Sequence, residues 1–483
     1  MKRILAAILT VCLLFTTFAC TVSADTADAG AADATAGENS TAQAEANVQA
    51  ASEGVDSFAW DMASGAELTV LLNQHTAANE IEKHLPEFEA LTGIKCDLSI
   101  LPEDNYYDKL TISLSSGSEP DVFMCGPLMP WELAGENYIE DLTPYIANEK
   151  LTSPDYDVDD FFPGVLGMFQ WDTKDGHAVG SGPQWSVPMV FEQYVLGYNK
   201  RIFAEHNLTV PKTMDELLAC AKALQEFNGP GSYGIALRGT RNWYTVTTSY
   251  ITNFANYGGV EFAVEEGKLV SKVNEPEGVA ATQMYVDLIQ QGGSPTWSNY
   301  TWYECAADLG AGNAAMMFDA DLVIYDQNVG DTAEAGNIAF APCPMPSSDS
   351  SVHSNIWGWG LSVNAASRNK TAAWLFVQYF TGKEYMQTAA IEGAVNPTRN
   401  SVFYSDEFQD VVSKTDGYLE TFEATIGGTS ILSVPQSHFY ETTAEWAATL
   451  QDIVNGKYAS VQEGLDDLKQ KMDTIVSDIV VED

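Results

Sequence analysis

Apolar residues change their spacing several times along this chain. Leu68-Thr69-Val70-Leu71-Leu72 is a short apolar run of strand character. Behind it Ile81, Leu85, Phe88 and Leu91 recur at spacings of four and three and stop at Gly93, which predicts an amphipathic helix closed by a glycine. Ile94, Cys96, Leu98 and Ile100 then alternate with polar residues, residues 106–114 return to helical spacing, and residues 120–124 form another short strand. The order is β-α-β-α-β, which favours a mostly parallel sheet with helices on its faces and ligands at the carboxyl ends of its strands. The alternation restarts with a strand at 195–198, a helix at 213–227 opened by a Thr cap, a strand at 233–237, and a helix at 277–291 ended by Gly292-Gly293. Near the C-terminus Ser460-Val461-Gln462-Glu463 is a capping box, followed by Leu465, Leu468, Met472, Ile475 and Ile479 on one helical face.

The two ends of the N-terminal region differ. Lys2 and Arg3 precede an apolar run from Ile4 to Phe15 that is too short to span a bilayer, the pattern of a signal peptide. Two cleavage readings compete: Thr17-Phe18-Ala19-Cys20 resembles a bacterial lipoprotein box with Cys20 as the lipidated residue, and Val22-Ser23-Ala24 fits ordinary secretion after Ala24. Residues 21–66, rich in Ala, Thr, Asp and Glu and free of Lys and Arg, read as a disordered tether with a reach of about 35–40 Å. A lipidated Cys20 would hold the protein on the outer face of the cell membrane.

Composition narrows the function. The 67 acidic and 23 basic side chains give a net charge of −44, so nucleic acid and anionic lipid headgroups are poor partners. Five cysteines lie beyond Cys12 and Cys20, an odd number without a CxxC, so at least one is unpaired and no bridge can be assigned. Gly310-Ala311-Gly312-Asn313-Ala314-Ala315 matches a loose dinucleotide fingerprint, but no βαβ unit begins there. P-loop, HExxH and GxSxG motifs do not occur, and Asp319-Ala320-Asp321 fails as a calcium loop because Val323 and Ile324 follow. The six histidines are too dispersed to suggest a metal cluster. No cofactor and no metal is predicted.

Several separated blocks resemble the sugar-binding proteins of bacterial ABC importers, the maltose-type family of extracellular solute-binding proteins. Pro120-Asp121-Val122, Val187-Pro188 through Gly197-Tyr198-Asn199-Lys200, and Pro211-Lys212-Thr213-Met214-Asp215-Glu216-Leu217 come in the family's order, with Met214 where a Trp is usual. Gly312-Asn313-Ala314-Ala315-Met316, Trp359-Gly360-Leu361-Ser362-Val363 with Ala372-Ala373-Trp374, Gly393-Ala394-Val395-Asn396-Pro397-Thr398-Arg399, and Gly456-Lys457 with Leu465 continue it. The resemblance implies an α/β, two-lobed periplasmic-binding-protein fold of type II, the Venus flytrap, each lobe a mainly parallel sheet flanked by helices. It places the crossovers near residues 187–194, 343–355 and 394–398. One lobe would comprise residues 67–190 with 350–395, the other 191–349 with 396–483. The implied function is capture of a sugar, oligosaccharide or polyol by hinge closure and delivery to separate ABC permease subunits, by a monomer that is not an enzyme. A secreted glycoside hydrolase and a binder of non-sugar solutes remain as alternatives.

A sugar offers apolar C–H faces and a ring of hydroxyls, so its cleft needs flat aromatics and fixed hydrogen-bonding groups. By the resemblance Glu192 in the first crossover accepts ligand hydroxyls, or else is a solvated hinge carboxylate. Tyr194 beside it, and Trp243 with Tyr244 in a loop after the strand at 233–237, are candidates to pack on the ligand. Asp319 ends a strand-like run and either faces the ligand or makes a turn. Trp357 and Trp359 alternate on one strand and so share a face, toward the cleft or the core. Arg399 could donate two hydrogen bonds to neighbouring hydroxyls or form a salt bridge. Trp131 and His438 lie in aromatic-rich loops that could close on the ligand, and Trp297, Trp302 and Tyr303 form a further aromatic segment.

Overall fold

The computed structural model describes residues 30–117, 119–347, 352–393 and 396–481. The apolar leader and Cys20 lie outside the described residues, as do Ala394 and Val395 of the third crossover.

Strand β1 (Glu67–Asn73) buries Leu68, Val70, Leu71 and Leu72. The next helix, Thr76–Thr92, turns Ile81 and Phe88 inward and stops at Gly93, whose φ of 70° no β-carbon favours and whose N–H is bonded to Glu89 O. Leu91 is 47 % exposed; Thr92 takes the last inward position, its hydroxyl bonded to Phe88 O at 2.8 Å. Strand β2 (Lys95–Leu101), a helix at Glu103–Ser116 and strand β3 (Val122–Cys125) complete the first β-α-β-α-β unit, and both β2 and β3 pair with β1 in parallel.

Strand β4 (Val187–Asn199) is much longer than the 195–198 segment that spacing alone suggests, because its apolar first half is buried on both faces. Strand β5 (Tyr233–Ala236), a hairpin of β6 (Phe262–Glu265) and β7 (Lys268–Ser271), then β8 (Ala314–Ala320), β9 (Ile338–Ala341), β10 (Ser354–Val363) and the short β11 (Thr429–Ser430) follow. The main sheet runs β2-β1-β3-β10-β4-β8-β5, with β9 also on β4 and β11 on β10. Up to Gln193, β4 pairs with β10; from Tyr194 it pairs with β8 and β9. Its partner strands change at that peptide. Within the main sheet each lobe is parallel except for one strand: β10 runs against β3 and β4 in the first, and β4 runs against β8 and β9 in the second.

The third connection lies against the first. Asn396 Nδ2 donates to Phe191 O and to Asp321 Oδ1, both at 3.1 Å, and Thr398 Oγ1 donates to Pro188 O at 3.0 Å. The Asp321 oxygen also accepts the Gln193 and Leu322 amides, at 3.2 and 2.8 Å. One buried carboxyl thus ties two crossovers to the second lobe.

The segment read as a disordered tether contains a helix, Gly30–Ser52. Ala44 and Val48, four residues apart, are buried; Thr41 Oγ1 donates to Asp141 at 2.9 Å and Asn47 Nδ2 to Glu140 at 2.8 Å. Ala, Gln and Glu favour a helix intrinsically, and here a buried acidic pair supplies acceptors for its polar residues. The helix Met214–Ala223 carries a complete capping box between Thr213 and Glu216. At the helix Val461–Ile475 the Ser460 hydroxyl accepts the Glu463 amide, whereas the Glu463 carboxylate takes the Ala459 amide rather than that of Ser460. Among the described residues all five cysteines are free, four of them buried. Among the described residues one histidine and two carboxylates lie close enough together to share a metal ion, His84 with Glu80 and Glu392, but Lys83 Nζ already lies 2.6 Å from Glu392 and 3.1 Å from Glu80 as their cation.

Candidate ligand-binding cleft

Between the lobes, over the crossing point of β4 and β10, lies a cleft whose empty space is about 650 Å³ counting its open mouth. Its lining comes from strand ends and the helix starts that follow them, where open α/β sheets present ligand-binding groups. Asn73 ends β1, and His75 caps the Thr76–Thr92 helix by accepting the Ala77 amide on Nδ1 at 3.1 Å. That bond places the ring proton of a neutral imidazole on Nε2, which donates to Glu192 Oε1 at 3.3 Å. Glu192 and Tyr194 alternate along β4 and so share a face; both line the cleft, 5 % and 1 % exposed.

Opposite them β10 presents Trp357 and Trp359, their ring centroids 5.6 Å apart and nearly perpendicular. Trp357 stands directly across from Glu192 in the strand register. Trp243 backs this pair, 5.6 Å from Trp357 and 5.0 Å from Tyr440. The second lobe adds Arg238, Tyr244, Thr247, Thr248, Trp302 and Asp326. Helical geometry breaks at Thr247 and Thr248, as often happens where a helix serves a site. Burial pushes the Asp326 carboxyl up to about 6, against the opposing pull of His75 and with further help from Glu192. Burial likewise raises Glu103, partly countered by the Trp302 hydrogen bond.

Three lining groups have buried polar atoms with no protein partner: Asn73 Oδ1, Thr76 Oγ1 and Thr247 Oγ1. Buried polar atoms are nearly always paired, so such a cluster around one space is what a hydroxyl-bearing ligand would complete. Aromatic faces for C–H groups stand beside it.

The model of the family described as bacterial extracellular solute-binding proteins matches residues 73–387. The chain belongs to this family. It is 36 % identical over 415 residues to the erythritol/L-threitol-binding protein of Mycolicibacterium smegmatis, covering 85 % of this chain and 86 % of that one. The mannitol-binding protein of Pseudomonas aeruginosa is 28 % identical over 264 residues, 53 % of this chain and 56 % of that protein. The fold is also that of a ribitol-complexed ABC transporter solute-binding protein from Agrobacterium radiobacter, with a TM-score of 0.73 at 20 % identity over 85 % of this chain and 99 % of that one.

In this solute-binding protein Glu192, Tyr194, Tyr244, Trp357 and Trp359 come together in the cleft. Trp243 stands one layer behind. Asp319 does not reach the space: it is fully buried and holds Arg238, which does. Arg399 lies elsewhere, fully buried, with its guanidinium 4.0 Å over the Phe161 ring and 5.0 Å from that of Tyr156. Its Nε donates to Thr381 O and its Nη1 to Asp157 O, at 2.8 and 2.7 Å, so those donors serve the backbone and not a ligand. Trp131 is buried edge-on against Phe439, centroids 5.0 Å apart, and joins the lobes beside the cleft without lining it. His438 sits at the surface with Asp478 and Glu441, at 3.1 and 3.7 Å. The sequence reading passed over His75, Glu103, Arg238 and Asp326. Two of these carried a usable signal, because His75 follows β1 and Arg238 follows β5 at the carboxyl ends of strands.

Proposed function

We propose that this protein is the extracellular substrate-binding subunit of an ABC importer and that its ligand is a polyol or a small sugar. The observation that carries the ligand class is the set of unpartnered buried oxygens of Asn73, Thr76 and Thr247 beside the Trp357 and Trp359 faces. Hydroxyls pair with the former and C–H groups pack on the latter. The polyol-binding relatives support the same class. Within this reading Glu192 accepts ligand hydroxyls, His75 holds Glu192 in place, and Tyr194 and Tyr244 frame the ligand.

Hinge closure is the transport signal. A ligand favours the closed arrangement only by touching both lobes at once, here Glu192 and Trp357 at the crossovers and Thr247 from the second lobe. A monomer lipidated at Cys20, with lobes divided as the crossovers suggest, is held near the permease without taking part in its ATP chemistry. It turns nothing over.

Thermal unfolding of the full chain against polyols, monosaccharides and oligosaccharides tests the reading. A ligand at 100 times its dissociation constant stabilises by about 2.7 kcal/mol. A rise with polyols and an unchanged ligand on recovery agree with it; a rise only with amino acids or peptides sinks the ligand class, and product formation sinks the transport role. Radiolabelled palmitate in a bacterial host, with Cys20→Ala as the comparison, tests the anchor.

A further inference from the structure

One edge of the cleft is bridged by Trp302 Nε1, which donates to Glu103 Oε2 at 3.0 Å across the two lobes. Each of these residues opens a helix, Glu103–Ser116 in the first lobe and Trp302–Ala311 in the second. Two helix N-termini therefore meet there, both carrying partial positive charge, and the Glu103 carboxylate is the group that reconciles them. The Trp302 indole is stacked on Tyr303, centroids 3.5 Å apart and planes 27° apart, which fixes its direction. One turn along the same helix face, Tyr107 packs 5.8 Å from Trp243 of the second lobe and 6.4 Å from Trp359. Glu103 and Tyr107 thus bring one face of this helix against the opposite lobe beside the cleft.

The space left inside is small. Water centres fit into about 90 Å³ of it. At roughly 10–15 Å³ per water in that measure, and about 30 Å³ of liquid each, this is room for about 180–270 Å³ of ligand. A four- to six-carbon polyol occupies about 140–200 Å³ and a disaccharide about 360 Å³, estimated on the same basis of liquid-like packing. A single unit matches that volume, and a disaccharide exceeds it.

We propose that the Glu103–Trp302 pair is a size gate that restricts this protein to single-unit ligands and excludes oligosaccharides. The inference rests on the polyol reading above. A second ring passing this edge has to part the carboxylate from the indole and leave a half-buried carboxylate without its donor. Selectivity is then set by what the wrong ligand would break.

The test is calorimetric titration of the full chain with erythritol, mannitol and maltose, beside Trp302→Ala, Trp302→Phe and Glu103→Gln, with circular dichroism as the check on folding. The gate predicts polyol binding and at least a hundredfold weaker maltose binding by the parent. Trp302→Ala should narrow that gap at least tenfold. Trp302→Phe, which keeps the ring and loses the donor, should narrow it less, and Glu103→Gln, which still accepts from the indole, should leave it in place; these two decide if the alanine variant does not fold. A polyol-to-maltose ratio that stays within twofold in both Trp302 variants overturns the gate and leaves the polyol reading standing, as does a parent that binds maltose as well as a polyol. A folded parent that binds none of the three overturns the reading itself, and the gate with it.

Discussion

Asp319 holds Arg238 through two parallel hydrogen bonds, Nε to Oδ2 at 2.8 Å and Nη2 to Oδ1 at 2.6 Å, with both side chains almost out of solvent. The pair stands where the strand end of β8 meets the cleft wall, and the Arg238 carbonyl is itself bound by the Trp297 indole at 2.8 Å. Desolvation of both ions is offset only while they remain together. Asp319→Ala leaves a buried guanidinium with one long bond to Tyr244 O at 3.4 Å. The variant should lose about 3–5 kcal/mol of stability in urea unfolding. A loss below about 1 kcal/mol would mean that solvent reaches Arg238 and the pair is not a buried one.

That pair also marks the boundary of what the chain discloses before it folds. Local spacing predicts β1, its following helix and the helix over Leu465 and Leu468, because each pattern is complete within a few turns. The pairing of Arg238 with Asp319 spans 81 residues and that of Trp302 with Glu103 spans 199, so no window contains them. Trp357 and Trp359 were legible as one face of a strand, but which face met the cleft depended on register with β4. Arg399 misled for the converse reason. Its place in the third crossover suggested a donor to ligand hydroxyls or a salt bridge, and the rings that enclose it, Phe161 and Tyr156, lie more than two hundred residues earlier.

Glu192 stands across the strand register from Trp357, accepts the His75 Nε2–H bond on Oε1 and lines the cleft. A hydrogen bond from a hydroxyl to a charged group contributes about 1.5–3 kcal/mol. Glu192→Ala should therefore weaken polyol binding by about tenfold to a hundredfold in isothermal titration. The same variant strands the His75 Nε2 donor and should cost about 1 kcal/mol of stability. Unchanged affinity in a folded variant would remove Glu192 from the ligand's surroundings.

Arg399 separates structure from binding. Nε and Nη1 are engaged by Thr381 O and Asp157 O, Nη2 is buried without a partner, and the planar face rests on Phe161 away from the cleft, so its loss should cost stability alone. Arg399→Met keeps the stem and removes the charge and the donors, leaving the buried Thr381 carbonyl short of a partner. A loss of about 2–4 kcal/mol follows from that unpaired group together with the missing ring contact. Ligand affinity of the folded fraction should stay within twofold. A large fall in affinity with little change in melting temperature would return Arg399 to the binding machinery.

Glu261 gives the protein a stability that falls as pH rises. It is fully buried; Oε2 accepts the Val434 amide at 2.8 Å, and Oε1 has no partner. Burial pushes its carboxyl from 4.5 up to about 7, against the pull of the Val434 bond. Between those two values the unfolded chain has released the proton and the folded chain still holds it, so unfolding releases a proton and is favoured by higher pH. The stability this group contributes is complete below about 4.5 and lost progressively up to about 7. At about 1.4 kcal/mol per unit the full span is about 3 kcal/mol. Glu261→Gln does not titrate and can still accept the Val434 amide, so placing its amide nitrogen adds a constant offset that is independent of pH. Asp321 and Asp326, raised by burial to about 8 and about 6, are common to both proteins and cancel in the difference. Urea unfolding at pH 5 and pH 8 should show the variant gaining on the parent by about 2–3 kcal/mol between the two. A difference that does not move with pH would mean that Glu261 is ionised, and therefore reached by water, in the folded protein.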